Sequence, residues 1–451
     1  MALPLQAETG IKGAVCIIKA DNRLVMVDEI LTQRTSLPAG TIDGAETPQE
    51  TAQREAWEET GLVVTVGKEL ARTPQAVYFD CQSDSDIIAF SQQDFNGAKS
   101  LPIWFAPHYG IETSAAKLIE PSQVDASQYR YPQEWGTVLT AFQAASNQPV
   151  QYVANLFDAA PSFHQVELGW LTALKNTIQQ LPAGLASLMD VLILTGLELA
   201  SPWWLLFLLP VVFAQFGRGF GFKLIFTIGV TVLMAMVAQQ GVQLPAPHVY
   251  MPSLHLSEQV GFSLPNVALA LWAAVVVLVW HQLGWGWNRQ SALVTVFAVW
   301  LGLAQFYSGS AFLIDLLVGA VLGWLCAWHI IRVEKDPKIG FSVTQSKGTW
   351  ALLVLVSGVM LMLWPTPNFM YLSATLVSLF IASRVLPSEV TMSRGHLLLT
   401  VVGLVVGYML LGQIQSLVSS SNFHSLLVEA FRWPTLVALF TLSAVYKPSK
   451  A

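Results

Sequence analysis

From residue 201 onward the sequence is a succession of apolar runs, each about 17 to 21 residues long, separated by short polar breaks. A helix crossing a hydrocarbon core needs about 20 such residues, because inside a bilayer every backbone N–H and C=O must be satisfied within the segment itself. The runs fall near 201–217, 221–240, 265–284, 291–309, 311–331, 349–366, 369–385, 395–413 and 427–446. This half is therefore expected to be an all-α polytopic transmembrane bundle whose partner is the lipid bilayer, in a multi-pass protein of a bacterial inner membrane. Short cytoplasmic loops retain Lys and Arg. With nine spans, Arg218, Lys223, Arg289, Arg332, Lys335, Lys338, Lys347, Arg384, Arg394, Lys447 and Lys450 share one side and Arg432 alone takes the other. That bias puts the C-terminus in the cytoplasm and the loop 241–264, which has no Lys or Arg, outside. Trp203, Trp204, Trp285, Trp287 and Trp364 fall near span ends, where indoles favour the interface, although packing explains any one of them equally well.

An odd number of spans places the preceding residues outside as well. Yet MALPLQAETG lacks the charged start and long apolar core of a secretory signal. Two resolutions are open. Residues 182–200 would make a tenth crossing, although 182–217 is short for two spans and a turn and carries Asp190 and Glu198. Alternatively, PLQAETG is the tail of a signal peptide. The second, with the N-terminal residues on the periplasmic side, is favoured. Cys16 and Cys81 fit a bridge in an oxidising compartment or two unpaired buried thiols; Cys326 reads as a small apolar residue of a membrane helix.

Charge separates the two halves. Up to residue 180 there are 21 Asp and Glu against 11 Lys and Arg, and from 181 onward 8 against 12. The first part is an acidic soluble domain, with no nucleic acid expected as partner. IKGAVCIIKA, NRLVMVDEI, LVVTVGKEL, AVYFDC and DIIAF read as strands and YRYPQEWGTVLTAFQAA as a closing helix. Residues 147–180 read as a helical connector.

Between the strands, ETPQETAQREAWEETGL (46–62) specifies one short helix. Thr47, Pro48 and Glu50 supply an N-cap, a first-turn proline and a reciprocal capping glutamate, and Gly61 the left-handed C-terminal residue. Glu55, Glu58 and Glu59 then share one face in the last turn, where the macrodipole is already negative. A divalent cation among them relieves that repulsion, and oxygen-only ligands suit Mg²⁺ or Mn²⁺ rather than zinc. Such ions bridge carboxylates to phosphate oxygens and orient an attacking water. Charge spacing alone also leaves open a solvated acidic helix.

The longer stretch GTIDGAETPQETAQREAWEETGL (40–62) resembles the Nudix hydrolase box, Gx5Ex7REUxEExGU, through Gly40, Glu46, Arg54, Glu55, Glu58, Glu59, Gly61 and Leu62, with Ala56 small for its aliphatic position. The resemblance implies an α+β Nudix sandwich, α/β/α around a mixed sheet, over residues 10–145. It implies Glu55, Glu58 and Glu59 as metal carboxylates, Gly40 as a close backbone approach to the metal, and Arg54 paired with Glu46 to orient the catalytic helix. The implied substrate is a small phosphoanhydride, a nucleoside diphosphate linked to another group. Tyr78, Phe79, Trp104, Phe105, Tyr109 and Tyr129 are aromatic candidates for stacking a base, with core packing the commoner role; Glu112 or Glu120 would complete the metal site.

After a connector at 146–200, residues 201–335 resemble the type 2 phosphatidic acid phosphatase superfamily, with LPAP at 244–247, SLPN at 263–266 and LAQFYSGSAFLIDLLVGAVLG at 303–323. Of the signatures KxxxxxxRP, PSGH and SRxxxxxHxxxD, the reactive positions are replaced by Gln239, Ala246, Asn266, Val267, Ala268, Ala304, Gln305 and Ala311, and Asp315 alone survives. Alanine neither attacks phosphorus nor donates a proton, and no replacement brings positive charge. This half is expected to be a lipid phosphatase scaffold without its chemistry, anchoring the enzyme or holding a lipid phosphate. His248 and His255 read as ordinary loop histidines, and Asp315 as a hydrogen-bonding group inside the bundle. Residues 340–451 add further spans without a functional signal. Beside a membrane-tethered hydrolase stand two other readings: a regulatory module with a Nudix ligand sensor, and a bifunctional diphosphate and lipid phosphate hydrolase.

Overall fold

Strand Gly13–Ile17 buries four successive side chains, Ala14, Val15, Cys16 and Ile17. Continuous burial rather than alternation marks a strand covered on both faces. In this computed structural model, which describes residues 10–446 apart from 95, 96, 255, 257–259, 285, 287, 337–341, 388 and 391, that strand lies inside a four-stranded sheet. Residues 4–9, His255, Trp285, Trp287, Lys338, Lys447 and Lys450 fall outside the described residues. The chain divides into two compact units: residues 1–159 with 249–253 and 418–422, and the remainder.

In the first unit the sheet order is Ala39–Thr41, Gly13–Ile17, Ala76–Ser83, Val64–Arg72. Gly13–Ile17 runs parallel to Ala76–Ser83 and antiparallel to Ala39–Thr41, so the sheet is mixed, as expected. A second sheet orders Asn147–Gln148, Lys19–Ala20, Arg23–Glu29, Thr113–Ile119 and Lys99–Leu101. Ile17, Leu24, Met26, Leu37 and Tyr78 meet in one core with Trp135, Val138 and Ala141 of helix Trp135–Ala144, which presents them at three-residue spacing. Cys16 and Cys81, on adjacent parallel strands, form a disulfide with Cα atoms 5.6 Å apart, which decides between the two readings of these cysteines.

Two elements differ from expectation. Val150–Val153 pairs in parallel with Ile87–Phe90, and Asn147–Gln148 with Lys19–Ala20, so residues 147–153 extend the sheets and the following helix starts only at Ser162. The β-branched and aromatic VQYV favours strand over helix. Thr113–Ile119 lies between two partners although TSAAKLI has few strand formers; burial against Arg23–Glu29 overrides its local preference.

The second unit is helical. Seven of its described helices are long and apolar enough to cross a membrane: Ala183–Ala200, Pro202–Val242, Arg289–Tyr307, Leu313–Lys335, Pro367–Val385, Arg394–Leu417 and Asn422–Val445. Val267–Gln282 and Lys347–Leu363 are shorter apolar helices. The runs expected at 201–217 and 221–240 are two helices that meet at Gly217, whose φ of 74° and ψ of 177° are non-helical. The Phe213 and Phe222 rings stand 5.5 Å apart across the bend, whereas nine residues of straight helix rise about 13.5 Å. Residues 182–200, the candidate tenth crossing, form the separate helix Ala183–Ala200. It packs chiefly against Arg289–Tyr307: a Cβ on Gly196 would meet Ala304 at 2.7 Å, and the Ala200 carbonyl accepts from Trp272 Nε1 at 2.7 Å.

Candidate active site on the Pro48–Thr60 helix

Both ends of helix Pro48–Thr60 are built as its sequence specifies. Thr47 Oγ1 accepts from Glu50 N at 3.3 Å while Glu50 Oε2 accepts from Thr47 N at 2.7 Å. At the other end Gly61, with φ 69°, donates to Trp57 O at 2.8 Å, and a Cβ there would lie 2.4 Å from Phe105. These fixed ends set the helical phase, and with it the shared face of Glu55, Glu58 and Glu59.

Arg54 is the group that lets the acids coexist. Its Nε and Nη2 donate to the two oxygens of Glu46 at 2.9 and 3.1 Å, and its Nη1 donates to both Glu55 Oε1 and Glu58 Oε2 at 2.7 Å. Arg54 and Thr51 hydrogen bonds hold the Glu46 carboxyl down to about 2. Burial pushes Glu55 up against the opposing pull of Arg54. Burial and the neighbouring Glu55 charge push Glu59 well above the usual range, and Glu59 Oε2 accepts from Ala39 N at 3.1 Å. Gly40 is packed onto this cluster: a Cβ there would stand 1.8 Å from Glu55 Oε1.

Glu55, Glu58 and His108 each offer one ligand atom, all within 4.8 Å of one another. Glu59 is turned instead toward the backbone of Ala39–Thr41. His108 is the residue that sequence reasoning passed over. Its amide donates to Glu58 O at 2.8 Å, which docks the loop against the helix, and its Nδ1 lies 3.5 Å from Glu112 Oε2. Glu112 thus adjoins the cluster, whereas Glu120 is paired with Arg23 at 3.1 Å. Tyr78, Phe79, Tyr109 and Tyr129 are buried and Phe105 is half-exposed over Gly61. Tyr78 and Tyr129 also line a cleft of about 350 Å³ together with Gly40, Glu55, Glu59 and Arg130. Two carboxylates and an imidazole at this spacing, with a glycine where any side chain would intrude, fit a divalent cation.

The family model of the NUDIX domain matches residues 11–134. Residues 11–134 are a Nudix domain. No curated protein matches the chain. Among solved structures, an ADP-ribose pyrophosphatase from Streptococcus suis is 14% identical, with 30% of this chain and 96% of that one covered and a TM-score of 0.22. A NUDIX hydrolase from Nitrosomonas europaea is 17% identical, covering 32% and 80%, with a TM-score of 0.20. Aquifex aeolicus LpxE is 21% identical, covering 36% and 94%, with a TM-score of 0.31.

In the helical unit, Asn266 and Gln305 bond to each other and Gln239 bonds to backbone carbonyls. Gln239 Nε2 donates to Phe262 O and Pro265 O at 2.9 and 3.0 Å, and Asn266 Nδ2 donates to Gln305 Oε1 at 2.8 Å while its Oδ1 caps helix Val267–Gln282. Asp315 Oδ2 accepts from Phe312 N at 2.9 Å, a helix cap within the bundle. Ala246 and Ala311 are buried and Ala268 is half-buried. His248 Nδ1 lies 3.0 Å from Gly309 O. Helix Ser162–Gln179 covers this end of the unit. Glu167 accepts from the free amides of Leu313 and Ile314 at 2.5 and 3.3 Å, His164 stacks on Phe312 with ring centroids 3.7 Å apart, and Lys175 Nζ donates to Leu254 O at 2.6 Å.

Proposed function

We propose that the protein is a membrane-anchored, divalent-metal-dependent hydrolase that cleaves a phosphoanhydride bond in a small molecule, a nucleoside diphosphate linked to a second group. The observation that carries the reading is the Arg54 guanidinium held 2.7 Å from both Glu55 and Glu58 inside a Nudix domain: a cationic group sits where the acidic face needs one. Mg²⁺ or Mn²⁺ bound by Glu55 and Glu58, with Glu59 and the Gly40 backbone close by, would polarise phosphorus and lower the pKa of water. As water adds to one phosphorus its proton passes to solvent, the bridging P–O bond breaks, and the leaving phosphate departs with its electron pair. Glu46 anchors Arg54 through two hydrogen bonds and so fixes the helix face; Gly40 leaves room for the Glu55 carboxylate.

The helical unit serves as a silent anchor in this reading, because Gln239, Ala246, Asn266, Ala268, Gln305 and Ala311 bring neither a nucleophile nor positive charge and the nearby Lys175 donates to a backbone carbonyl. Nine crossings keep the Nudix domain on the periplasmic side, and the Cys16–Cys81 bridge fits that oxidising compartment.

The test is release of a nucleoside monophosphate from nucleoside diphosphate derivatives by the full chain in detergent with Mg²⁺ or Mn²⁺. Glu58→Gln is expected to lower turnover by about 100-fold or more. Unchanged turnover in that variant, or binding of nucleotide without cleavage, would overturn the reading. Phosphate release from a lipid phosphate by the Glu58→Gln protein would show that the helical unit is active after all.

A further inference from the structure

We infer that His108 binds the divalent ion through Nε2, making the site a mixed nitrogen and oxygen one that favours Mn²⁺ over Mg²⁺. This rests on the reading of Glu55 and Glu58 as ion ligands and adds a ligand that the acidic helix does not contain.

The backbone puts the ring in place. His108 N donates to Glu58 O at 2.8 Å, and His108 O accepts from the amides of Ile111, Glu112 and Thr113 at 3.1, 3.0 and 3.1 Å, so the loop is wound around this residue and docked on the helix. The ring then faces a carboxylate on each side. Nε2 lies 3.8 Å from Glu58 Oε2, too far for a hydrogen bond. Two ligands bound to one ion at about 2.1 to 2.2 Å are separated by about 3.0 Å at right angles and about 4.3 Å when opposed. The observed gap falls between these limits, as for two donors sharing an ion.

The far side of the ring supplies an independent argument. Nδ1 is shielded from solvent without a hydrogen-bond partner and lies 3.5 Å from Glu112 Oε2. A ligating histidine turns its other ring N–H to a carboxylate, which fixes the tautomer that leaves Nε2 with a free lone pair. Glu112 is placed for that role, and a small movement closes the distance. Between these two ions imidazole binds Mn²⁺, a first-row transition metal, better than Mg²⁺, whose hard ion holds oxygen. The nitrogen donor therefore sets ion preference, while the carboxylates supply the charge.

The experiment is pulsed electron paramagnetic resonance on the full chain in detergent, loaded with Mn²⁺. Spin-echo modulation from a directly bound ¹⁴N is expected in the wild type, shifting on ¹⁵N-histidine labelling and disappearing in His108→Gln. Glu112→Gln should weaken Mn²⁺ binding on the order of tenfold and leave Mg²⁺ binding unchanged. Bound Mn²⁺ without nitrogen modulation overturns the inference and leaves the carboxylate site standing. Absence of any bound Mn²⁺ or Mg²⁺ overturns the site itself. Nitrogen modulation that survives in His108→Gln belongs to another histidine and also overturns the inference; His108→Asn supplies the same comparison where His108→Gln does not fold.

Discussion

Gly40 shows how much one carbon atom matters at this site. A methyl group there would stand 1.8 Å from Glu55 Oε1, so Gly40→Ala must drive the Glu55 carboxylate from its place. We expect turnover to fall about 100-fold, as for other misplacements near 1 Å, with amide exchange of helix Pro48–Thr60 unchanged. Glu46 gives a pH signature. Its folded pKa is depressed from 4.5 to about 2 by Arg54, so its stabilising effect is present above pH 4.5 and is lost as pH falls through about 2. Exchange protection of the helix in the wild type should exceed that of Glu46→Gln at pH 5, and the difference should vanish toward pH 2. Residues at fixed intervals along one helix were legible because the 3.6-residue period translates spacing into position. His108 was not. Nothing periodic joins it to Glu58, fifty residues earlier, and their proximity depends on how the intervening strands return the loop to the helix.

Among elements, helix Pro48–Thr60 was readable to the residue because each end is written in side chains whose hydrogen bonds are local. Thr47→Ala removes the hydroxyl that accepts from Glu50 N and leaves the residue-47 amide donating to Glu50; it should cost about 1 kcal/mol, read as faster amide exchange in the first turn. Strands rich in Val, Ile and aromatic residues were equally plain. Thr113–Ile119 was missed because its strand identity comes from two neighbours rather than from its own composition, and Val150–Val153 because its partner Ile87–Phe90 lies more than sixty residues away. Hydropathy marked where apolar helices occur but not how they pair: Ala183–Ala200 packs chiefly against Arg289–Tyr307, a hundred residues further on. Composition carries no information about tilt.

For the whole molecule, the Cys16–Cys81 bridge spans 65 residues of the Nudix domain. Replacing both cysteines by serine should lower the stability of that domain by about 2 to 4 kcal/mol in denaturant titrations of the full chain. A reporter fused ahead of residue 10 should signal from the periplasm, and a cytoplasmic signal would sink the nine-crossing arrangement. The start of the helical unit has a practical side. Residues 162–179 look like a tether, yet Glu167 already satisfies the bare amides that open helix Leu313–Lys335, and His164 is sandwiched against Phe312. Anyone trimming the chain to study the helical portion alone should cut upstream of Pro161; a truncation at residue 180 would leave those amides naked, and sulfate or phosphate soaking into the vacated slot would then masquerade as a native ligand.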